Sequence, residues 1–512
     1  MYVRKKYNKS GTVSVVVVDK SSGKYKEIKT IGIAENENQI SQLLIKGKQW
    51  IDRHIKGEDI FRLHHKELAE KQLTEHLLNK IENILLNGIQ LIIDRVYDSI
   101  GFNKIKDEEL RHLVVSRLSQ PLSKSATVEY LKTHFNEDTD LNRIYRYMDK
   151  LYKHQQEEIQ RISVGHTRKI LDGKIGLLFY DVTTLYFETD KKDELREQGF
   201  SKDGKHGQSQ IVLGLLVSRD GYPLSYALFN GSQYEGRTML PVLEDFIHRF
   251  GLNDFVVVAD SGLMNKSNIA LLKQQGYKYI IGERIKNKPK KIKSQILSLE
   301  KKESLFHEIE TNQGRLIISY SEKRAKKDRY NRDKGIRRLE KDFKNGKITK
   351  DKVNKRGYNK FLEIANDISV KINQEKIKED EKWDGLKGYI TNTKLSPKEV
   401  YKQYNELWII ENAFRVTKGT LRTRPIFHFT PRRIEAHVCI CFVAYKVYKE
   451  LDRILKFHDI KMSVDKVLAI AKTITTLEIK LTETREIVQK TMFLTSQQKS
   501  IAKLFDDDFW KM

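Results

Sequence analysis

Residues Lys174–Asp181 read KIGLLFYD. The run is apolar throughout its middle, too short for a globular helix, and stops on an acid. It therefore reads as a buried β-strand rather than an amphipathic helix. Moving outward from it, Thr183–Glu188 continues as strand or loop, and a polar loop carries Gly199, Gly204, His206 and Gly207. Two further apolar runs follow, Gln210–Ser218 and Tyr222–Phe229, with Arg219-Asp220-Gly221 between them. Asp-Gly between two such runs is a hairpin signal. Thr238–Phe250 is an amphipathic helix, and Asp254–Ala259 is a Phe-Val-Val-Val strand that stops on Asp260. A helix over Asn265–Gln275 and a strand over Tyr277–Gly282 complete the pattern. Three strands in succession can pair antiparallel, whereas strands separated by helices are expected to run parallel. The expected fold class is α/β, with the mixed sheet of a ribonuclease-H-like core. Asp181 and Asp260 each end an apolar strand, and ligands of open α/β sheets gather at strand ends.

The flanks differ in texture. Thr12–Val18 and Tyr25–Ile33 surround Ser21-Ser22-Gly23, giving an N-terminal β-hairpin over 1–38. Residues 39–170 show helical spacings, with Asp107 and either Ser123 or Ser125 as candidate N-caps. Short basic helices with tight joins suit a DNA-binding region. The first part of the core spans 171–283, and an inserted β-rich subdomain follows over 284–395. Within it Glu322–Asn345 and Asp351–Glu363 read as charged helices. The core resumes over 396–455, and C-terminal helices are expected over 456–512. Lys and Arg exceed Asp and Glu by 26 charges, which suggests a polyanionic partner. The only cysteines, Cys439 and Cys441, exclude a disulfide framework and fit a reducing, cytoplasmic setting. No apolar run is long enough for a membrane span.

The remaining acid of interest lies in Tyr401–Arg424, YKQYNELWIIENAFRVTKGTLRTR. Read as one helix at about 100° per residue, Tyr404, Leu407, Glu411, Arg415 and Lys418 share a face. Arg422 joins them if the helix survives Gly419. A single carboxylate among cations suits a metal ligand beside a phosphate-binding surface. The plainer alternative is solvated ion pairs such as Glu411 with Arg415. Asp181, Asp260 and Glu411, if clustered, form an oxygen-rich site for two Mg²⁺ or Mn²⁺ ions. Two such ions activate a nucleophile and stabilise a leaving oxygen in phosphodiester chemistry. Glu188 and Asp190 are alternative acids near Asp181. His437, Cys439 and Cys441 read as core rather than a zinc site, and Trp383 and Trp408 as core rather than stacking platforms.

The chain resembles DDE transposases of bacterial insertion sequences, in the branch whose last acid lies in a Tyr-x2-Arg-x3-Glu-x6-Lys signature. Tyr404, Glu411 and Lys418 match with the spacing intact, while Leu407 stands at the Arg position. FYDVTTLYFE, VVVADSGLMN and RTRPIFHFTPRRIEAHVCICFVAYKVY carry the likeness further. The resemblance implies metal-dependent cleavage of double-stranded DNA at element ends, then strand transfer of the 3′-hydroxyl into target DNA. It implies Asp181, Asp260 and Glu411 as ligands of two divalent ions. Tyr404 and Lys418 would contact DNA, with Arg415 and Arg422 as candidate compensating charges. It also implies paired protomers, a homodimer on two ends, associated with the nucleoid. A nuclease of the same fold that only hydrolyses, or an inactive DNA-binding relic, is the alternative.

Overall fold

The computed structural model describes residues 1–510 except 56–59, 201–203, 205–206, 253, 264–265, 349–352, 355–356 and 366–368; at 55, 60–66, 266–267, 365 and 369 it describes the backbone alone. His206 lies outside the described residues. The chain forms two units, Met1–Ile84 with Leu477–Lys490, and Leu85–Thr476 with Thr491–Met512.

The first unit opens with a three-stranded antiparallel sheet, β1 (Tyr2–Tyr7), β2 (Val13–Asp19) and β3 (Lys26–Ala34). The expected hairpin is β2–β3. The additional edge strand β1 was not legible because YVRKKY is charge-rich and exposes most of its side chains. Helix α1 (Glu37–Ile55) packs on this sheet, and Ile40 joins Val13, Val15 and Ala34 in a small core. Helix α2 (Ile60–Leu78) and strand β4 (Ile81–Leu85) follow.

The second unit begins with five helices: α3 (Gly88–Ile100), α4 (Glu108–Ser119), α5 (Lys124–Phe135), α6 (Leu141–His154) and α7 (Gln156–Ile170). Ser123 caps α5, its hydroxyl accepting from the Ala126 N–H. Asp107 does not cap α4; its carboxylate accepts from Lys150 and Gln155 instead. A tertiary ion pair has outcompeted the local cap.

The large sheet then starts with β5 (Leu177–Tyr186), β6 (Gln210–Ser218) and β7 (Pro223–Asn230), which pair antiparallel. Helix α8 (Met239–Phe250) leads to β8 (Val256–Ala259), and α9 (Lys266–Gln274) to β9 (Lys278–Glu283). β5, β8 and β9 are parallel. The order β7-β6-β5-β8-β9 thus has three antiparallel strands followed by a parallel pair. Successive β5 residues feed opposite cores: Leu177 and Phe179 enter one, Leu178, Tyr180 and Val182 the other. Burial on both faces is why these strands read as continuous apolar runs rather than alternation.

Residues 284–395 contribute α10 (Lys290–Leu297), β10 (Phe306–Thr311), β11 (Gly314–Tyr320), α11 (Glu322–Lys344), β12 (Leu362–Ala365), β13 (Ser369–Ile372), α12 (Gln374–Glu381) and β14 (Leu386–Thr391). β14, β11 and β10 extend the same sheet beyond β9. β12 and β13 pair only with each other, beside a small core of Leu339, Phe361, Leu362, Val370 and Ile377. The helix expected over Asp351–Glu363 is corrected where it is described: Gly357–Phe361 is a 3₁₀ turn and β12 begins at Leu362. Their apolar residues enter that small core, and this packing overrides the helical propensity of the charged neighbours.

Helix α13 (Pro397–Asn405) starts in a capping box of Ser396 and Glu399. It is followed by α14 (Trp408–Lys418) and α15 (Pro431–Phe457). α15 is buried along most of its length and packs on α3, α4, α6, α7 and β7. After α16 (Val464–Ala471) come two strands, β15 (Thr475–Lys480) and β16 (Ile487–Met492), in a sheet with β4, and then α17 (Ser496–Ser500). The expectation of C-terminal helices alone over 456–512 is corrected by these strands. Their polar, mostly exposed sequences carry little hydrophobic periodicity, so pairing with β4 decided their conformation. Among the described residues no helix is long and apolar enough to cross a membrane.

Candidate functional site

Strand register brings the first two acids together. Tyr180 of β5 lies opposite Ala259 of β8, so the next residue on each parallel strand is an aspartate, Asp181 and Asp260. Adjacent strands are about 4.8 Å apart. Asp181 shares side-chain parity with Leu177 and Phe179, and Asp260 with Val256 and Val258; these residues face the core that also contains Ile410, Ala413 and Phe414 of α14. Helix α14 packs on β5 and carries Glu411 on its exposed side. Among the described residues, no three His, Cys, Asp or Glu side chains stand close enough to form a metal-ligand group. The register sets Asp181 and Asp260 side by side on adjacent strands, and Glu411 lies on the helix that packs on β5.

Tyr404 holds Asp260. Its hydroxyl donates to Oδ1 of Asp260 at 2.7 Å. The ring is buried, and burial together with the Asp260 charge pushes the phenol well above its ordinary pKa, so it stays protonated. Gly282 of β9 makes this reach possible: a Cβ there would fall 2.3 Å from the Tyr404 hydroxyl. Tyr404, expected to contact DNA, is buried with its hydroxyl proton committed to Asp260.

The reading of Tyr401–Arg424 as one helical face is also corrected. The helix breaks at Glu406-Leu407, where Leu407, Ile409 and Ile410 make i to i+3 hydrogen bonds. That tightened turn rotates Tyr404 inward and leaves Glu411 outward. Leu407 itself is core. Arg415 donates to Oδ1 of Asn412 at 2.5 Å and lines a cleft of about 830 Å³ with Trp408 and Lys449. None of the three acids borders that cleft. Arg422 lies beyond the helix end with φ +44°, in a cleft with Leu118 and Lys472. Gly419 stops the helix, which leaves Arg422 outside it, whereas Arg415 lies within α14 one turn after Glu411. Lys418 occupies the last turn of α14, half-buried, about 10 Å along the axis from Glu411. Trp408 is exposed rather than core, because the break turns it outward.

A cation that sequence reasoning missed is Lys387. It lies near the start of β14, where Gly388 pairs with Glu283 at the carboxyl end of β9. Its Nζ stands 4.3 Å from the centre of the Tyr404 ring. Burial and the nearby Arg324 lower its pKa, while Asp260 and Glu411 both raise it. The ammonium therefore lies in the field of two of the three acids. No local motif marks it; its place is set by the pairing of β14 with β9.

The weaker candidates resolve as structure. Glu188 is exposed and accepts from Gln208. His437 bonds the Thr423 carbonyl, and burial pushes the Cys439 thiol up to about 12, so these residues are core.

The sequence profile described as Transposase DDE domain matches residues 172–446. No curated protein matches the chain. Among solved structures, it is similar to piggyBac transposase in a synaptic complex with hairpin DNA, at 10% identity and a TM-score of 0.39, over 76% of this chain and 79% of that one. It is also similar to Mos1 transposase in a paired-end complex with the left transposon end, at 7% identity and a TM-score of 0.16, over 34% and 58%.

Proposed function

The chain belongs to the DDE transposase-domain family, and we propose that it cuts double-stranded DNA at the ends of an insertion sequence and joins the freed 3′-hydroxyl to target DNA. The observation that carries this reading is the β5–β8 register, which sets Asp181 beside Asp260 on the sheet face covered by the helix bearing Glu411. The strand order β7-β6-β5-β8-β9 is the one a ribonuclease-H-like core requires.

The donor set fits hard divalent cations: three carboxylates, with no histidine or thiol assigned among them. Asp181, Asp260 and Glu411 would hold two Mg²⁺ or Mn²⁺ ions, which when bound supply nucleophile activation and leaving-group stabilisation. The chain's own residues do the rest. Tyr404 orients the Asp260 carboxylate, leaving its second oxygen for a cation. Lys387 offsets the charge of Asp260 and Glu411 and would meet a phosphate bound beside them. Lys418 extends that cationic track two helical turns away. The excess of 26 positive charges would hold the DNA backbone. Two protomers on paired ends would complete the assembly.

The test is cleavage of DNA carrying the element's own ends. Asp181→Ala, Asp260→Ala and Glu411→Ala should each lose about a thousandfold or more in rate, with DNA affinity retained. Full cleavage by all three variants refutes the assignment. A pre-cut end with a free 3′-hydroxyl separates transposition from hydrolysis, since only a transposase joins it to target.

A further inference from the structure

Away from the acids, four basic side chains gather inside the protein. Arg117 of α4, Lys124 at the first position of α5, His428 before α15 and His437 within it are each no more than 9% exposed. Their elements pack together, α15 on α4 and α4 on α5. The two imidazole rings are 5.4 Å apart between centres. Burial, then Arg117, pulls the Lys124 ammonium down to about 7. Burial, then Lys124, Arg117 and Arg433, pulls His428 down to about 3. Arg433 is itself paired with Asp149, and the Cys441 thiol lies 3.9 Å from Nε2 of His437.

Other buried guanidiniums of this chain face a carboxylate: Arg332 meets Asp384 at 2.6 Å and Arg196 meets Asp193 at 2.7 Å. Among the described residues, no carboxylate pairs with Arg117 or Lys124. Arg117 makes one long bond, 3.5 Å to the Leu421 carbonyl, and the Lys124 ammonium makes none. His437 donates through Nε2 to the Thr423 carbonyl at 3.1 Å, which leaves Nδ1 as a buried acceptor with no partner.

Buried cations without a counter-charge are costly, so this cluster calls for an anion. A guanidinium fork suits an oxyanion, and an ammonium adds a point charge. The orphaned Nδ1 needs a donor. Hydrogen phosphate carries one on its protonated oxygen; sulfate and chloride do not. The connection Leu118–Leu122 between α4 and α5 forms one wall of a cleft of about 470 Å³ that also holds Arg422 and Lys472, a cationic approach for a small ion. Burial of Arg117 and Lys124 keeps a duplex backbone away.

We propose that Arg117, Lys124 and His437 bind one inorganic hydrogen phosphate ion where α4, α5 and α15 meet. The ion is a resident counter-charge for the cluster, and its site is separate from the three acids.

The test follows thermal unfolding of the full chain, freed of phosphate, as sodium phosphate, sulfate or chloride is added at one ionic strength. Phosphate should raise Tm by about 2 °C or more. Sulfate should need roughly tenfold higher concentration for the same shift, and chloride should give none. The ³¹P resonance of added phosphate should broaden. Lys124→Met removes one buried like charge, so its Tm without phosphate should equal or exceed the parent's while the phosphate shift disappears. Arg117→Lys keeps the charge without the fork and should weaken phosphate about tenfold. Equal shifts from all three anions overturn the site, and so does a phosphate shift that persists in Lys124→Met. Unbroadened phosphate with the parent, together with a lower Tm for Lys124→Met, would make the cluster structural only. A shift produced by a 5′-phosphorylated duplex and not by inorganic phosphate would make it a DNA contact and overturn the proposal as well. Should Lys124→Met fail to fold, the parent's anion selectivity and Arg117→Lys decide.

Discussion

Two lysines lie over tyrosine rings in nearly the same way. Lys387 is 4.3 Å from the Tyr404 ring, and Tyr404 donates to Asp260 at 2.7 Å. Lys446 is 4.2 Å from the Tyr222 ring, and Tyr222 donates to Glu450 at 2.7 Å. The surroundings separate them. Lys446 donates to the Ser163 carbonyl at 3.0 Å and to Oγ1 of Thr167 at 2.6 Å, and Glu450 also accepts from Arg453 at 2.6 Å. That set is buried and saturated, and it ties α15 to α7 and to the β6–β7 turn. Asp260 is exposed, and among the described residues its Oδ2 takes no hydrogen bond. The same lysine–tyrosine–carboxylate arrangement is a brace where every lone pair is used and a reactive edge where some remain.

Breaking the brace should have the largest effect on stability. Glu450→Ala removes the buried carboxylate that Tyr222, Arg453 and His166 face, and should cost about 3–5 kcal/mol in chemical denaturation. A loss below about 1 kcal/mol would show that the set is not a stabilising unit.

Acid should weaken the same brace. Burial alone would raise the Glu450 carboxyl, but hydrogen bonds from His166, Arg453 and Tyr222 hold it down at about 2. A carboxyl held below its unfolded value stabilises the fold above that value and stops doing so as pH falls through the folded one. The contribution, on the order of 3 kcal/mol, should therefore be complete near neutrality and disappear between about pH 4.5 and 2. Burial also keeps His166 below its ordinary range, so its protonation in acid acts in the same direction. Denaturation midpoints for Glu450→Gln should lose this pH slope.

At the reactive edge the signature is different. Gly282→Ala drives a methyl into the Tyr404 hydroxyl, and should cost about 1–3 kcal/mol of stability together with cleavage rate. Tyr404→Phe in the same background should restore stability but not rate, since the clash goes and the bond to Asp260 does not return. Lys387→Met sharpens the contrast most. Stability should change by less than about 0.5 kcal/mol, while cleavage falls about tenfold and the Mg²⁺ midpoint of thermal stabilisation shifts. Equal losses in stability for Lys387→Met and Lys446→Met would erase the distinction between the two triads.

Part of the candidate site was legible because two apolar runs each lead into an acid, although β5 continues through Asp181 to Tyr186, so only Asp260 follows a strand end. Buried parallel strands need apolar runs, so an aspartate closing KIGLLFYD or DFVVVAD stands out without any partner in view. Glu411 was legible as one acid among helical cations. The helix break at Glu406-Leu407 was not, since nothing in NELW forbids a continuous helix; the turn tightens so that Leu407 and Tyr404 can both reach the core. Arg422 falls outside that face for a different reason, the stop of α14 at Gly419. Lys387 was invisible, because its role depends on β14 returning beside β9 after more than a hundred residues.

Local chemistry along the chain determined the strands and helices of the sheet, the excess of positive charge and the acids that follow two apolar runs, because burial and polarity act residue by residue. Which side chains meet was decided only in three dimensions. Register put Asp181 beside Asp260, a missing Cβ at Gly282 let Tyr404 reach across, and an inserted segment delivered Lys387. Contacts between distant residues depend on pairing and packing that no single stretch encodes, and they separate a buried brace from a reactive edge built of the same three groups.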